Sequence, residues 1–177
     1  MTNALAKDRL RKRFARWDVD GNGLLELEDF RQEAARIVSG FGATPDSPGV
    51  RALHDAFEAL YTHLAEQSGT SVQEGISEQG FLQATEQLLF TEGEAAFNRA
   101  LSPVVKALVT LSDSDGDGSL DATEFEAWLA GIGLPRTEAA ETFGKIDANG
   151  DGKLSEDELL RVVREYHYGR LDVELLG

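Results

Sequence analysis

Short carboxylate and amide side chains recur at the first, third and fifth positions of three twelve-residue stretches, at 18–29, 113–124 and 147–158. Each stretch has a glycine at its sixth position and a carboxylate at its twelfth, and a phenylalanine or leucine follows directly. Oxygen atoms at this spacing can converge on one point of a curled chain. They suit a hard, large cation that takes six to eight oxygen ligands. The pattern therefore predicts three calcium sites.

Each position in these loops has its own physical role. Positions one, three and five supply side-chain oxygens, and the glycine at position six takes a sharp turn that other residues resist. Position seven offers its backbone carbonyl, and the carboxylate at position twelve closes the site. Whether the residues at position nine, Glu26, Asp121 and Ser155, bind the ion directly or through water stays open. The predicted ligands are Asp18, Asp20, Asn22, Leu24, Asp29, Asp113, Asp115, Asp117, Ser119, Glu124, Asp147, Asn149, Asp151, Lys153 and Glu158.

The three loops differ in charge and in how they end. The loop at 113–124 carries five carboxylates and ends on Glu124, whereas the loop at 18–29 ends on Asp29. The aspartate is one methylene shorter, so we expect it to give a single oxygen unless the loop tightens. That favours weaker calcium binding and competition from Mg²⁺ at the first site. We therefore expect the site at 113 to outlast the site at 18 as calcium is withdrawn.

A fourth stretch, at 69–80, aligns with the other three but lacks the residues that would bind a cation. It has no carboxylate at positions one, three, five or twelve, and no glycine at position six. We expect it to bind no calcium and to persist because such units fold in pairs. Residues 75–77 are then expected to pair with 24–26 in a short β-ladder, as 119–121 pair with 153–155.

Hydrophobic periodicity predicts an amphipathic helix before and after each of the four stretches, eight helices in all. A helix–loop–helix unit with this kind of loop is an EF-hand. We therefore expect an all-α chain with four EF-hands in two pairs that form one compact unit. The pairs are expected to span 1–92 and 93–177, with the apolar residues of the C-terminal tail packed on the body.

Local signals place several helix ends. Thr91 with Glu94 fits a capping box that would start a helix, and Thr137 is expected to cap another. Pro103 is expected to kink or restart the helix that contains it. Two further capping boxes fall where a loop meets its exiting helix, at Asp121–Glu124 and at Ser155–Glu158.

Composition excludes several classes of function. The 177 residues carry a formal net charge of −15, which disfavours nucleic acid and anionic membranes as partners, and there is no cysteine for disulfides or thiolate metal sites. No apolar run approaches the 18 residues typical of a membrane span, and the N-terminus shows neither a secretory nor a myristoylation signal. We therefore expect a cytoplasmic monomer with no obligatory protein partner.

The four loops begin at 18, 69, 113 and 147, and this uneven spacing with a silent second loop resembles the sarcoplasmic calcium-binding protein family. The resemblance extends over the whole chain and is most specific to the bacterial members of that family. It rests on the stretches Lys12–Asp18, Gly93–Arg99 and Gly169–Gly177. It implies a compact four-EF-hand fold, three bound calcium ions, and a cytosolic buffering or transport role.

Buffering or transport of calcium is the favoured function, and two alternatives stay open. A calcium sensor with a dedicated protein target would expose an adaptable, methionine-rich groove, but the only methionine is Met1. A photoprotein-like ligand-binding enzyme would need a cavity lined by histidine, tryptophan and tyrosine. His54, His63 and His167 show no spacing that recommends them for this role, and no catalytic motif appears, so we expect no enzyme.

Overall fold

The computed structural model describes residues 4–176. The ends of the two predicted EF-hand pairs, at Met1, Thr2, Asn3 and Gly177, lie outside the described residues. The described chain is mostly helical, as predicted, and each of its four loops joins two helices. The helices are α1 (Ala4–Trp17), α2 (Leu27–Phe41), α3 (Pro48–Ser68), α4 (Glu78–Glu86), α5 (Glu94–Ser112), α6 (Ala122–Gly131), α7 (Ala139–Ile146) and α8 (Glu156–His167).

Two short antiparallel pairings join the loops, which confirms the predicted partners. Strands β1 (Leu24–Leu25) and β2 (Ile76–Ser77) pair with Leu25 opposite Ile76. In the second half a single bridge joins Leu120 to Leu154, with N–H···O distances of 2.9 and 2.8 Å. All four position-eight side chains are completely buried. Each pairing therefore anchors its two loops to the core as well as to each other.

The buried side chains of both halves form one continuous hydrophobic core. Its aromatic part lies where α1 enters the first loop. The Trp17 ring packs on Phe30 at a centroid distance of 4.9 Å, and Phe30 packs on Tyr61 at 5.2 Å. Phe57 and Phe81 meet Trp17 edge to face. The side chain that directly precedes Asp18 is thereby fixed in the core.

The helices that leave the first and third loops, α2 and α6, pack closely against each other. A methyl group added at Gly40 of α2 would overlap the carbonyl oxygen of Gly131 in α6, and one added at Gly131 would overlap the Phe41 ring. Close approach of two backbones needs residues without a side chain. The two exiting helices are therefore in contact with no room between them at this point.

The C-terminal tail binds to α1 through two buried arginines. Arg9 donates to the carbonyl oxygens of Tyr166 (2.5 Å) and Leu171 (2.7 Å), and Arg13 pairs with Glu174 at 2.7 Å. Val173, Leu175 and Leu176 are buried, and the indole N–H of Trp128 donates to the Leu175 carbonyl at 3.0 Å. The tail thus connects α1 to the third and fourth hands.

Two local expectations about helix ends need correction. The predicted cap at Thr91 is wrong, because a π-helical turn at Gln87–Thr91 extends the preceding helix, and α5 begins after Gly93, whose φ of +84° suits glycine. A 3₁₀ turn at Arg136–Glu138 precedes α7, so Thr137 is not its cap. Of the two alternatives at Pro103, a restart is excluded because α5 continues through this residue, and the kink stays a prediction.

Across residues 4–176, none of the helices is long and apolar enough to cross a membrane.

Candidate metal centres

Carboxylates converge in two of the predicted loops. One oxygen from each of Asp18, Asp20 and Asp29 lies within 4.8 Å of the other two. The loop at 113–124 forms a second group of the same kind, made by Asp113, Asp115 and Glu124. Each group joins positions one, three and twelve of its loop. Folding therefore brings together the acids that the sequence pattern predicted to converge.

The carboxylate at position one organises the turn of each predicted site. Its two oxygens accept backbone N–H groups from farther along the loop, including that of the glycine at position six. These glycines have φ values of +80° to +83°, the left-handed conformation that position six was expected to need. The amide-to-carboxylate distances are 2.9 Å for Gly23 to Asp18, 2.8 Å for Gly118 to Asp113 and 3.0 Å for Gly152 to Asp147.

The position-twelve carboxylate closes all three loops by reaching back to the backbone at position two. It also accepts the N–H of the residue at position nine, three residues earlier. Asp29 makes these two contacts with its shorter side chain, and each glutamate accepts in addition the N–H at position three, at 3.3 Å from Asp115 and 3.4 Å from Asn149. The position-two distances are 3.1 Å from Val19 to Asp29, 2.8 Å from Ser114 to Glu124 and 3.1 Å from Ala148 to Glu158.

The surroundings of the closing carboxylates shift their pKa values in different directions. Burial raises the pKa of Asp29, and the neighbouring charges of Asp18 and Asp20 add to this effect against two backbone hydrogen bonds. Burial also acts to raise the pKa of Glu124 and Glu158, but the hydrogen bonds donated to these carboxylates outweigh it and lower both pKa values. Glu124 receives bonds from both the backbone and the hydroxyl of Ser114. Its charge is therefore better supported than that of Asp29.

The residues at position nine are the N-caps of the exiting helices. Asp121 accepts the N–H of Glu124 at 2.9 Å and Ser155 accepts that of Glu158 at 3.2 Å, which confirms both predicted capping boxes. Glu26 is likewise the N-cap of α2 and exchanges hydrogen bonds with Asp29 there, and its carboxylate also accepts the side-chain amide of Asn22 at 3.0 Å. The position-nine residue thus starts the exiting helix in all three loops.

Asp117 stands apart from the acids of its own loop. The ammonium of Lys153, which comes from the neighbouring loop, donates to its Oδ2, and the Ser119 N–H donates to its Oδ1 at 2.9 Å. Asp117 is accordingly absent from the group formed by Asp113, Asp115 and Glu124. The lysine side chain escaped the sequence interpretation, which assigned position seven only a backbone carbonyl.

The loop at 147–158 has the same hydrogen-bonded form with fewer charges. Its carboxylates do not form a third group within 4.8 Å among the residues described. Asn149 donates its amide to Asp151 at 3.1 Å and accepts the Asp151 N–H at 2.9 Å. The side-chain oxygens at positions one, three, five and twelve nonetheless line one loop.

The fourth loop, at 69–80, is stabilised without convergent acids. Glu74 accepts the N–H of Ser71 at 3.1 Å, and the Tyr61 hydroxyl donates to the Val72 carbonyl at 2.9 Å. Its position-twelve residue, Gly80, has no side chain and donates its N–H to the Ser77 hydroxyl at 3.2 Å. This loop offers a cation no closing carboxylate.

The donor sets fit a hard divalent cation. They consist of carboxylate, amide and carbonyl oxygens, with no nitrogen or sulfur donor, which suits calcium and magnesium better than zinc or copper. Acids held within 4.8 Å of one another repel without a cation between them. A bound Ca²⁺ would replace this repulsion by attraction.

Known proteins resemble this chain in sequence and in fold. A family model described as an EF-hand domain pair matches residues 106–164. Calerythrin from Saccharopolyspora erythraea is 50% identical over 177 residues, which covers 100% of both chains. These are similarities of sequence over both the loops and the helices that carry them.

Two solved structures resemble the chain over nearly its whole length. A calcium-binding protein from Streptomyces coelicolor matches with a TM-score of 0.74 and 27% identity, covering 92% of this chain and 98% of that one. Calcium-loaded apo-aequorin from Aequorea victoria matches with a TM-score of 0.76 and 21% identity, covering 94% and 92%. The likeness to apo-aequorin is one of fold alone.

Proposed function

Since this chain belongs to the calerythrin family of EF-hand calcium-binding proteins, we propose that it binds three calcium ions and buffers or transports calcium in the cytoplasm. The proposed sites are the loops at 18–29, 113–124 and 147–158, with the ligands predicted from the sequence. Two loops bring three carboxylates together, and all three have the position-twelve carboxylate in its closing position. The loop at 69–80 is proposed to bind none.

The observation that carries buffering over sensing is the close packing of the exiting helices. A sensor turns its exiting helices outward on binding calcium and exposes an apolar groove. Here α2 and α6 meet at Gly40 and Gly131, and the tail is bound over α1 by Arg9 and Arg13. Opening would break both sets of contacts. The protein is therefore proposed to hold calcium without presenting a surface to a target.

A sensor is the second candidate. The Streptomyces coelicolor calcium-binding protein of similar fold acts in prokaryotic calcium-mediated regulation. If this chain were a sensor, calcium would have to expose apolar side chains that are buried here, such as Leu175 and Leu176 of the tail. The chain's single methionine gives such a groove little adaptability.

A photoprotein-like ligand site has less support. The cavity between the halves is lined by Leu10, Trp17, Phe97 and His167, among others, and measures about 30 Å³. Small-molecule sites are typically about 300–1,000 Å³. We therefore propose that the protein is not an enzyme of that kind.

Calorimetric titration of the calcium-free chain tests the stoichiometry. We expect three ions per chain and a monomer by light scattering in both states. A stoichiometry of two or of four would contradict the assignment of the loops. In parallel, a hydrophobic dye should show little change in fluorescence between the magnesium and calcium forms. A large calcium-specific rise would establish a sensor instead.

A further inference from the structure

Both carboxylate oxygens of Asp117 are engaged, and one of them is engaged by a cation. Oδ1 accepts the Ser119 N–H at 2.9 Å, which is a bond within the loop. Oδ2, the oxygen left for an ion, accepts the ammonium of Lys153. The ammonium therefore lies on a predicted calcium ligand of the site at 113.

The backbone fixes Lys153 in this position. The residue directly precedes Leu154, which bridges to Leu120 with hydrogen bonds of 2.9 and 2.8 Å. Both leucines are completely buried, so the bridge cannot slide without exposing the core. The lysine thus begins from a fixed point beside the neighbouring loop.

We propose that Lys153 is a built-in competitor for the calcium site at 113, so that a residue of one loop sets the affinity of the next. This inference rests on the proposed calcium function. Calcium gathers the oxygens of positions one, three and five, and to do so it must take Asp117 Oδ2 from the ammonium.

Two effects act in the same direction. Without calcium, the ammonium offsets the repulsion around Asp113, Asp115 and Glu124 and so stabilises the empty loop. With calcium bound, an ammonium beside a divalent ion is repelled. Both effects lower calcium affinity. Removal of the lysine charge should therefore tighten the site at 113.

The first pair of loops contains no equivalent competitor. The residue that corresponds to Lys153 is Gly75, which directly precedes Ile76 in the pairing with Leu25. The position that corresponds to Asp117 is occupied by Asn22, a neutral residue whose amide bonds within its own loop. Of the two position-five residues that carry a charge, Asp117 and Asp151, it is Asp117 whose carboxylate accepts a lysine ammonium from the partner loop.

The test is Lys153→Gln, followed site by site with NMR. The amides of Gly23, Gly118 and Gly152 each donate to the position-one carboxylate of a different loop, so each reports one site. We expect calcium to bind about fivefold more tightly at the Gly118 site, which corresponds to the upper range for an exposed ion pair. The Gly152 site should change by less than about twofold, because the Lys153 carbonyl is kept.

Lys145→Gln is the matched control. Lys145 lies in the same hand and pairs with Glu141 of its own helix, so the variant removes the same charge away from Asp117. It should leave the Gly118 site within about twofold of the parent, and Lys153→Arg should retain most of the competition. In the parent protein, the ε-methylene resonance of Lys153 should shift as the Gly118 site fills.

Unchanged or weaker binding at the Gly118 site in Lys153→Gln would overturn the proposal, as would an equal gain in Lys145→Gln. Weaker binding would mean that the lysine orients Asp117 for calcium instead of competing with it. Failure of the parent to bind calcium at the Gly118 site would refute the proposed function itself. The two failures are therefore distinguishable.

Discussion

The loops at 18–29 and 113–124 balance their charge in different ways on the same backbone. In the first, the side-chain amide of the position-five residue Asn22 donates to Asp20 and Glu26 at 3.1 and 3.0 Å, so these hydrogen bonds stay within the loop. In the second, the position-five residue is Asp117, and its charge is met by Lys153 from the partner loop. One site is self-contained, whereas the other depends on its neighbour.

The closing residue adds a second contrast. Asp29 and Glu124 contact the backbone at the same two positions, but burial raises the pKa of Asp29 while hydrogen bonds lower that of Glu124. A shorter acid can close an EF-hand loop if the loop contracts around it. Contraction favours a smaller ion, since magnesium requires shorter bonds and a more regular shell than calcium. We therefore expect ion preference to depend on the closing acid at position twelve, and affinity at the site at 113 to depend also on the lysine opposite position five.

Removing the charge of the closing acid should have the largest effect. In Glu124→Gln, the site at 113 loses a carboxylate that receives backbone bonds from both ends of the loop. We expect its calcium affinity to fall about 100-fold, or ~2.7 kcal/mol. Asp29→Asn should lower the calcium affinity of the site at 18 by a smaller factor. Calorimetry measures both losses, and Glu126→Gln, at an exposed position of α6, is the control. Equal losses at the two sites would remove the contrast.

Gly40→Ala should separate the exiting helices of the two loops. Its methyl group would overlap the Gly131 carbonyl of α6, and overpacking of this kind typically costs about 1–3 kcal/mol. Chemical denaturation measures the change in the free energy of unfolding. Gly144→Ala is the matched control, because its methyl group meets nothing within 4 Å and should stabilise α7 by up to about 1 kcal/mol. A Gly40→Ala protein as stable as the parent would show that α2 and α6 can move apart at this contact without a loss of stability.

Lengthening the closing acid of the first site should change ion preference. Asp29→Glu gives the closing acid the reach to hold a larger ion through both oxygens, so magnesium should bind about fivefold less well relative to calcium. Competition titrations at the Gly23 amide measure the ratio. The Gly118 amide of the same variant supplies the internal control, since the site at 113 already closes with glutamate. An unaltered ratio would mean that position twelve does not set the preference.

Acidification should release calcium from the two sites in order. A proton competes with calcium for the closing carboxylate. The surroundings of Asp29 raise its pKa from that of an ordinary aspartate, whereas those of Glu124 lower its pKa from that of an ordinary glutamate, so the first site favours protonation of its closing acid and the second opposes it. Since we also expect the weaker calcium binding at the first site, the site at 18 should empty at a higher pH than the site at 113, as followed at the Gly23 and Gly118 amides. Simultaneous release would show that the bound ion equalises the two acids.

Much of this arrangement could be predicted because it is local in sequence. The loop spacing places the acids at positions one, three and twelve, and the alignment of position eight predicts that Leu25 faces Ile76 and Leu120 faces Leu154. Both follow from a repeat whose geometry is carried by twelve consecutive residues. The capping boxes at Asp121 and Ser155 are equally local.

Long-range contacts and competing local signals escaped prediction. Arg9 and Arg13 are buried by a tail more than 150 residues away, and helical periodicity alone would leave two arginines in solvent. Lys153 meets Asp117 only because a bridge aligns the two loops. The capping signal at Thr91 predicted the wrong start for α5, because the chain turns at Gly93, which adopts a positive φ and is the N-cap of that helix.

The closing bonds from position two to position twelve also bear on time. A loop closed by these bonds needs only a small rearrangement to take up an ion, whereas an ammonium on a ligand oxygen must first leave, so we expect the sites to differ in the rate of capture as well as in retention. We expect the loop at 18–29, with no lysine on its position-five residue, to fill early in a calcium pulse. The loop at 113–124 should fill as its lysine departs and should empty late. A single chain would thus blunt the onset of a pulse with one loop and prolong its decay with another.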